Sequence, residues 1–72
     1  MEEIKKGRYR HFKGNEYVVM EVGIHTETGE EMVVYYDCRE PYKVWVRPLS
    51  MWNEIVKRDG YEGPRFTWVG GP

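Results

Sequence analysis

The sequence predicts a mainly β, single-domain protein, either a strongly twisted antiparallel sheet or a small, partly open barrel with one short helix. Three observations carry that expectation. β-Branched and apolar residues follow a period of two from Glu16 to Ile24, the signature of a strand. Similar short runs recur along the chain, separated by Gly, Pro and Asn turn formers. The chain has 72 residues, 15% of them aromatic, and a single cysteine. A core this small must therefore be held by packed rings, without an internal disulfide.

The elements follow in chain order. Tyr9 to Phe12 reads as a hairpin arm leading through a Lys13-Gly14-Asn15-Glu16 turn into the strand Glu16 to Ile24. In that strand Val18, Met20, Val22 and Ile24 share one side, and Tyr17, Val19, Glu21 and Gly23 the other. His25-Thr26-Glu27-Thr28-Gly29-Glu30 supplies a second turn, and Glu31 to Tyr36 returns as its partner strand. Asp37 to Tyr42 is a polar loop containing Pro41, and Lys43 to Arg47 is a short strand that Pro48 ends. Ser50 is placed to cap a helix over about Met51 to Lys57, with Gly60 beyond it. Its buried side is Leu49, Met51, Trp52, Ile55 and Val56. Arg65 to Val69 is one last strand. Five such strands suit a sheet that curls in the Src-homology-3-like manner, with Phe12, Val18, Met20, Val22, Val34, Val44, Val46 and Phe66 inside. Residues 1–72 form one domain, with 1–7 and 70–72 as flexible ends.

Charge narrows the functional classes. The net charge of −1 divides into +3 over residues 1–13, −6 over 14–42 and +2 over 43–72. The acidic middle argues against a protein whose main task is binding a polyanion. No apolar run approaches a membrane span, and Met1 to Lys6 lacks the apolar stretch of a secretory signal, so a cytoplasmic protein without membrane contact is expected.

Chemistry-bearing residues are sparse. Cys38 lies among Asp37, Arg39 and Glu40, whose acids do not favour a thiolate, and it reads as an incidental thiol. His11, His25 and Cys38 show none of the paired spacings of zinc sites, so no metal or cofactor is expected. Glu30 and Glu31 are strand neighbours pointing to opposite faces, and His25 reads as a turn residue. The single glycine of Lys13-Gly14-Asn15 lies between strands and does not make a phosphate loop. No catalytic group stands out, and an enzyme is not expected.

Two stretches can bind. Lys5 to Lys13 mixes cations with aromatics, either as a nucleic-acid patch or as a charged edge that discourages aggregation. In Trp45-Val46-Arg47-Pro48, Trp45 and Arg47 share the face opposite Val44 and Val46. They either present an aromatic surface beside a guanidinium or lie under the helix or last strand. By the same alternation Tyr9 and His11 lie opposite Phe12. The candidate surface is therefore Tyr9, His11, Trp45 and Arg47, with Arg65 at its rim.

Five blocks in order resemble the bacterial family catalogued as domain of unknown function 1653. They are Tyr9 to Asn15, His25 to Thr28, Val33 to Tyr35, Trp45 to Pro48 with Met51, and Pro64 to Phe66, and the likeness runs from about residue 8 to about residue 67. The resemblance implies a small, mostly β, intracellular bacterial protein and carries over no catalytic residue. Cys38-Arg39-Glu40-Pro41 departs from the pattern, where a glycine-containing, more aromatic loop is more usual.

The leading functional expectation is a non-enzymatic module that binds a peptide or another protein through its aromatic and arginine surface. The alternative is binding of a nucleotide or single-stranded nucleic acid through the basic N-terminal arm and Trp45. An exposed sheet edge leaves room for a monomer or a weak homodimer.

Overall fold

The strand expected from Glu16 to Ile24 lies at the centre of a five-stranded antiparallel sheet in the computed structural model, which describes residues 4–71. The chain runs β1 (Gly7–His11), β2 (Glu16–Ile24), β3 (Glu31–Asp37) and β4 (Glu40–Pro48). A single helical turn α1 (Leu49–Trp52) and a small hairpin β5 (Ile55–Arg58) and β6 (Tyr61–Pro64) follow, and β7 (Phe66–Gly70) closes the order. The sheet order is β4-β3-β2-β1-β7, so the first four strands form a meander and the last returns beside β1. Residues 1–3 and 72, part of the ends expected to be flexible, lie outside the described residues; Ile4 packs against the core and Gly70 belongs to β7.

The turns have identifiable chemistry. Gly14, at φ 107, permits the β1–β2 turn, in which His11 N donates to Asn15 O at 2.7 Å. In the second turn His25 Nδ1 accepts the Glu27 amide and Thr28 Oγ1 the Glu30 amide, each at 3.1 Å. Between β3 and β4 Asp37 folds the chain by itself: its carboxylate accepts the Arg39 amide at 2.8 Å and holds the Arg39 guanidinium through both oxygens. β4 therefore begins at Glu40, and the loop expected as far as Tyr42 is a two-residue turn followed by an edge strand that accommodates Pro41 and Pro48.

The sheet curls but does not close. β4 and β7 are both free edges, so the barrel alternative and the Src-homology-3-like closure are not realised. The curl is nonetheless deep. Arg47 on β4 reaches to 5.8 Å from the Phe66 ring on β7, although three strands separate the two along the ladder. A bulge in β2 between Val19 and Glu21, and another in β7 at Val69, opposite the Arg8–Tyr9 step of β1, add the bend.

The core lies on the concave face and is mainly aromatic: Tyr9, Val19, Val33, Tyr35, Trp52 and Phe66. Trp52 of α1 is the wedge. It stacks on Phe66 at 3.7 Å between centroids and meets Tyr35 and Tyr9 edge-on at 4.9 and 5.4 Å.

This core inverts the expected strand phase. Val18, Met20, Val34, Val44 and Val46 lie on the convex face, while Val19, Val33 and Tyr35 point inward. Both faces of these strands are apolar, so alternation does not say which is buried. The β2 bulge then switches phase within one strand, and Val22, opposite Val33, joins the inner side. Phe66 lies in the core as expected, and Phe12 is half-buried, stacked on Tyr61.

The helix is also shorter than expected. It starts at Leu49 after Pro48, Ser50 does not cap it, and Ile55–Arg58 is strand. Trp52 and Val56 are buried as expected, but Met51 and Ile55 are exposed. Gly60, expected just beyond a helix, instead forms with Asp59 a two-residue hairpin turn between Arg58 and Tyr61, at φ 80 and φ 54.

Candidate functional site

The mouth of the curled sheet lies where β4 faces the β1 and β7 end. Its floor is a cluster of rings: Tyr17 meets Tyr35 at 5.6 Å and Phe66 at 5.7 Å, both edge-on. His11, two residues beyond the buried Tyr9 on the same face of β1, meets Phe66 at 5.1 Å and Tyr17 at 6.3 Å. From the opposite side Arg47, paired with Val33 across the ladder, brings its guanidinium over Phe66. Trp45 lies two residues away on the same face, opposite Tyr35. It stays out of the ring cluster and is 49% exposed.

Three of the five sequence-predicted residues thus gather round Phe66: His11, Arg47 and Arg65, with Trp45 beside Arg47. Tyr9 does not belong with them. It is buried, and its hydroxyl donates to Lys5 O at 2.6 Å. Desolvation there raises its pKa above the usual tyrosine value, the Lys5 hydrogen bond opposing the rise, so it remains a neutral packing group. The sequence reading did not single out Tyr17, whose partial burial against the core makes it part of the floor.

The electrostatics of the mouth are positive and unevenly compensated. Arg65 holds Glu54 at 3.0 Å, whereas no carboxylate among the described residues lies within 4.0 Å of Arg47. The Nε atoms of Arg47 and Arg65 are both buried and find no hydrogen-bond partner among the described residues. His11 responds to this surplus: desolvation first, then Arg65, Arg47 and Lys13, hold its pKa below the usual histidine value. Its Nδ1 accepts the Lys13 amide at 3.1 Å, which puts the proton of the neutral ring on Nε2. The site therefore combines a neutral imidazole donor, an uncompensated guanidinium and exposed indole surface. That set suits an oxyanion attached to an apolar or planar body.

The N-terminal cations are engaged differently. Arg8 and Arg10 both approach Glu16, Lys6 pairs with Glu21, and Lys5 lies 4.3 Å from the Trp68 ring centre. Cys38 is exposed, and its thiol is pushed above its usual pKa by desolvation and by Glu16 and Asp37. Among the described residues no three His, Cys, Asp or Glu side chains come together to hold a metal ion. Among them, too, no helix is long and apolar enough to cross a membrane.

An open, curled antiparallel domain with an aromatic and cationic mouth is the class that fold and site define. Within it the chain belongs to a bacterial family described as protein of unknown function, DUF1653, whose model matches residues 7–68. It is similar to a crystal structure of a protein of that family from Bordetella bronchiseptica, with 35% identity and a TM-score of 0.85 over 97% of this chain and 92% of the other. Among curated proteins none matches.

Proposed function

We propose that this protein is a non-enzymatic binding module whose concave mouth takes a peptide or protein segment carrying a carboxylate. The observation that carries the reading is Arg47: a guanidinium fixed over an aromatic ring, with no carboxylate partner among the described residues, next to a half-exposed tryptophan. A ligand carboxylate pairs with the outer nitrogens of Arg47, accepts from His11 Nε2, and leaves its apolar neighbour to Trp45. Arg65 lines the rim, already committed to Glu54.

Nucleotide or single-stranded nucleic-acid binding is the weaker reading, because Lys6, Arg8 and Arg10 each have an acidic partner that a phosphate must displace. The test is co-purification of the tagged protein from its own cells, beside Trp45→Ala and Arg47→Ala variants, with mass spectrometry of bound protein and RNA. The reading expects a protein partner retained by the parent and lost by both folded variants. Equal retention by all three sinks it, and a salt-sensitive RNA partner supports the alternative.

A further inference from the structure

The convex side of the sheet and the free edge of β4 play no part in the site described above. Among the described residues β4 is bonded only to β3, and Tyr42, Val44 and Val46 on it are 78%, 54% and 61% exposed. Met32 and Pro48 face each other across the β3–β4 ladder. A proline has no amide to give, so that pair is of the wide, non-hydrogen-bonded kind. By alternation Val34–Val46 and Tyr36–Val44 are the same. The N–H and C=O groups of Val44 and Val46 therefore point away from the sheet, along an edge whose outer side chains are apolar.

We propose that this edge is a self-association surface, on which two copies pair antiparallel through residues 42–46 about a two-fold axis at Val44. The charges, the apolar residues and the proline of β4 together make it self-complementary to a second copy in one register. With the axis at Val44, Val44 faces itself, Val46 faces Tyr42, and Trp45 faces Lys43 of the second copy, an aromatic–cation pair. Moving the axis to Lys43 sets two ammonium groups opposite each other, and moving it to Trp45 sets Lys43 against Arg47. Centring it on Val46 sets Val44 opposite Pro48, which has no amide to give, and centring it on Tyr42 sets Val44 opposite Glu40; the register at Val44 is the one that avoids like charges and also keeps the apolar residues facing one another. It gives about six main-chain hydrogen bonds and continues the apolar convex face across both copies. Pro48, with no outward amide, ends the ladder at one side. An edge contact of this kind is small, so the dimer is weak and concentration-dependent. It also brings Lys43 of the second copy beside the Trp45 of each mouth.

The experiment is sedimentation equilibrium of the full chain from micromolar to millimolar concentration, with cysteine cross-linking in a Cys38→Ser background. A reversible dimer is expected, with Val44→Lys raising its dissociation constant at least ten-fold while far-UV circular dichroism remains unchanged. Val44→Cys is expected to oxidise to a disulfide dimer at least ten times faster than Lys43→Cys or an exposed control, Ile24→Cys. A monomer at every concentration overturns the proposal. So does a dimer indifferent to Val44→Lys, or faster cross-linking at residue 43 than at 44. If Val44→Lys unfolds, the cross-linking rates decide alone.

Discussion

Val33→Ala and Val46→Ala make a paired test of the strand phase. Val33 is 0% exposed on the concave face, and Val46, 61% exposed, lies on the convex face of the neighbouring strand. Truncation at Val33 removes two methyl groups worth about 0.8 kcal/mol each in transfer. The hole stays open because rigid rings of the aromatic core cannot collapse into it, which brings the expected loss to about 2–3 kcal/mol. A 72-residue domain has roughly 4–11 kcal/mol in total. With a urea slope of about 1 kcal/mol per molar, the denaturation midpoint falls by about 2–3 M, and the melting temperature by roughly 10–20 °C. Val46→Ala, already in water, shifts stability by no more than about 0.5 kcal/mol. Urea titrations followed by tryptophan fluorescence measure both. Equal losses, or a larger loss at Val46, would falsify the placement of the core on the concave face.

Gly7→Ala is expected to cost about 1–3 kcal/mol, since Gly7 sits at φ 124 and an added Cβ would lie 2.5 Å from the Gly70 carbonyl oxygen; Gly23→Ala, in open space, is the near-neutral control in the same urea titration. The His11 pKa, read by NMR titration of its ring protons, lies below 6.5, and Arg47→Gln moves it upward; a value unmoved by that substitution contradicts their proximity. Because the folded His11 pKa is the lower one, the unfolded chain takes up the proton first. This group's contribution is complete above pH about 6.5 and declines as pH falls through the window below it. Asp37 is also depressed, by its hydrogen bonds from Arg39, so its contribution is present above its ordinary pKa of 3.8 and is lost as pH falls below that; Asp37→Asn should flatten this acid limb of the stability profile.

The strands and the first two turns were legible because their signals are local: period two, and glycine or proline where the backbone must bend. The faces were not. In Glu31–Asp37, Met32, Val34 and Tyr36 are as apolar as Val33 and Tyr35, and only the tertiary arrangement of Trp52 and Phe66 decides which set is buried. Asp59-Gly60 was a readable hairpin signal, outweighed by a short apolar run that suits one helical turn or a strand equally well. For the mouth, alternation put Trp45 with Arg47 and Tyr9 with His11 correctly, since it depends on relative phase alone. What it lacked was the absolute phase, which turns Tyr9 into core, and the curl that carries β4 toward β7.

That curl links stability to the site. His11 and Arg47 stand on strands separated by β2 and β3, so no ladder hydrogen bond sets the distance between them. It is set by the bulges that bend the sheet and by Trp52, whose ring fills the space between Tyr35 on one side and Phe66 on the other. A fully closed barrel would have joined β4 to β7 through backbone bonds and covered this space. An open sheet leaves Arg47 over Phe66 with no carboxylate among the described residues and Trp45 in water, at the cost of an Nε on each of two arginines that finds no partner among them. The same openness leaves β4 without a second strand. The mouth and the free edge are thus two consequences of one packing choice: large rings on the concave face, too bulky for the sheet to close around them.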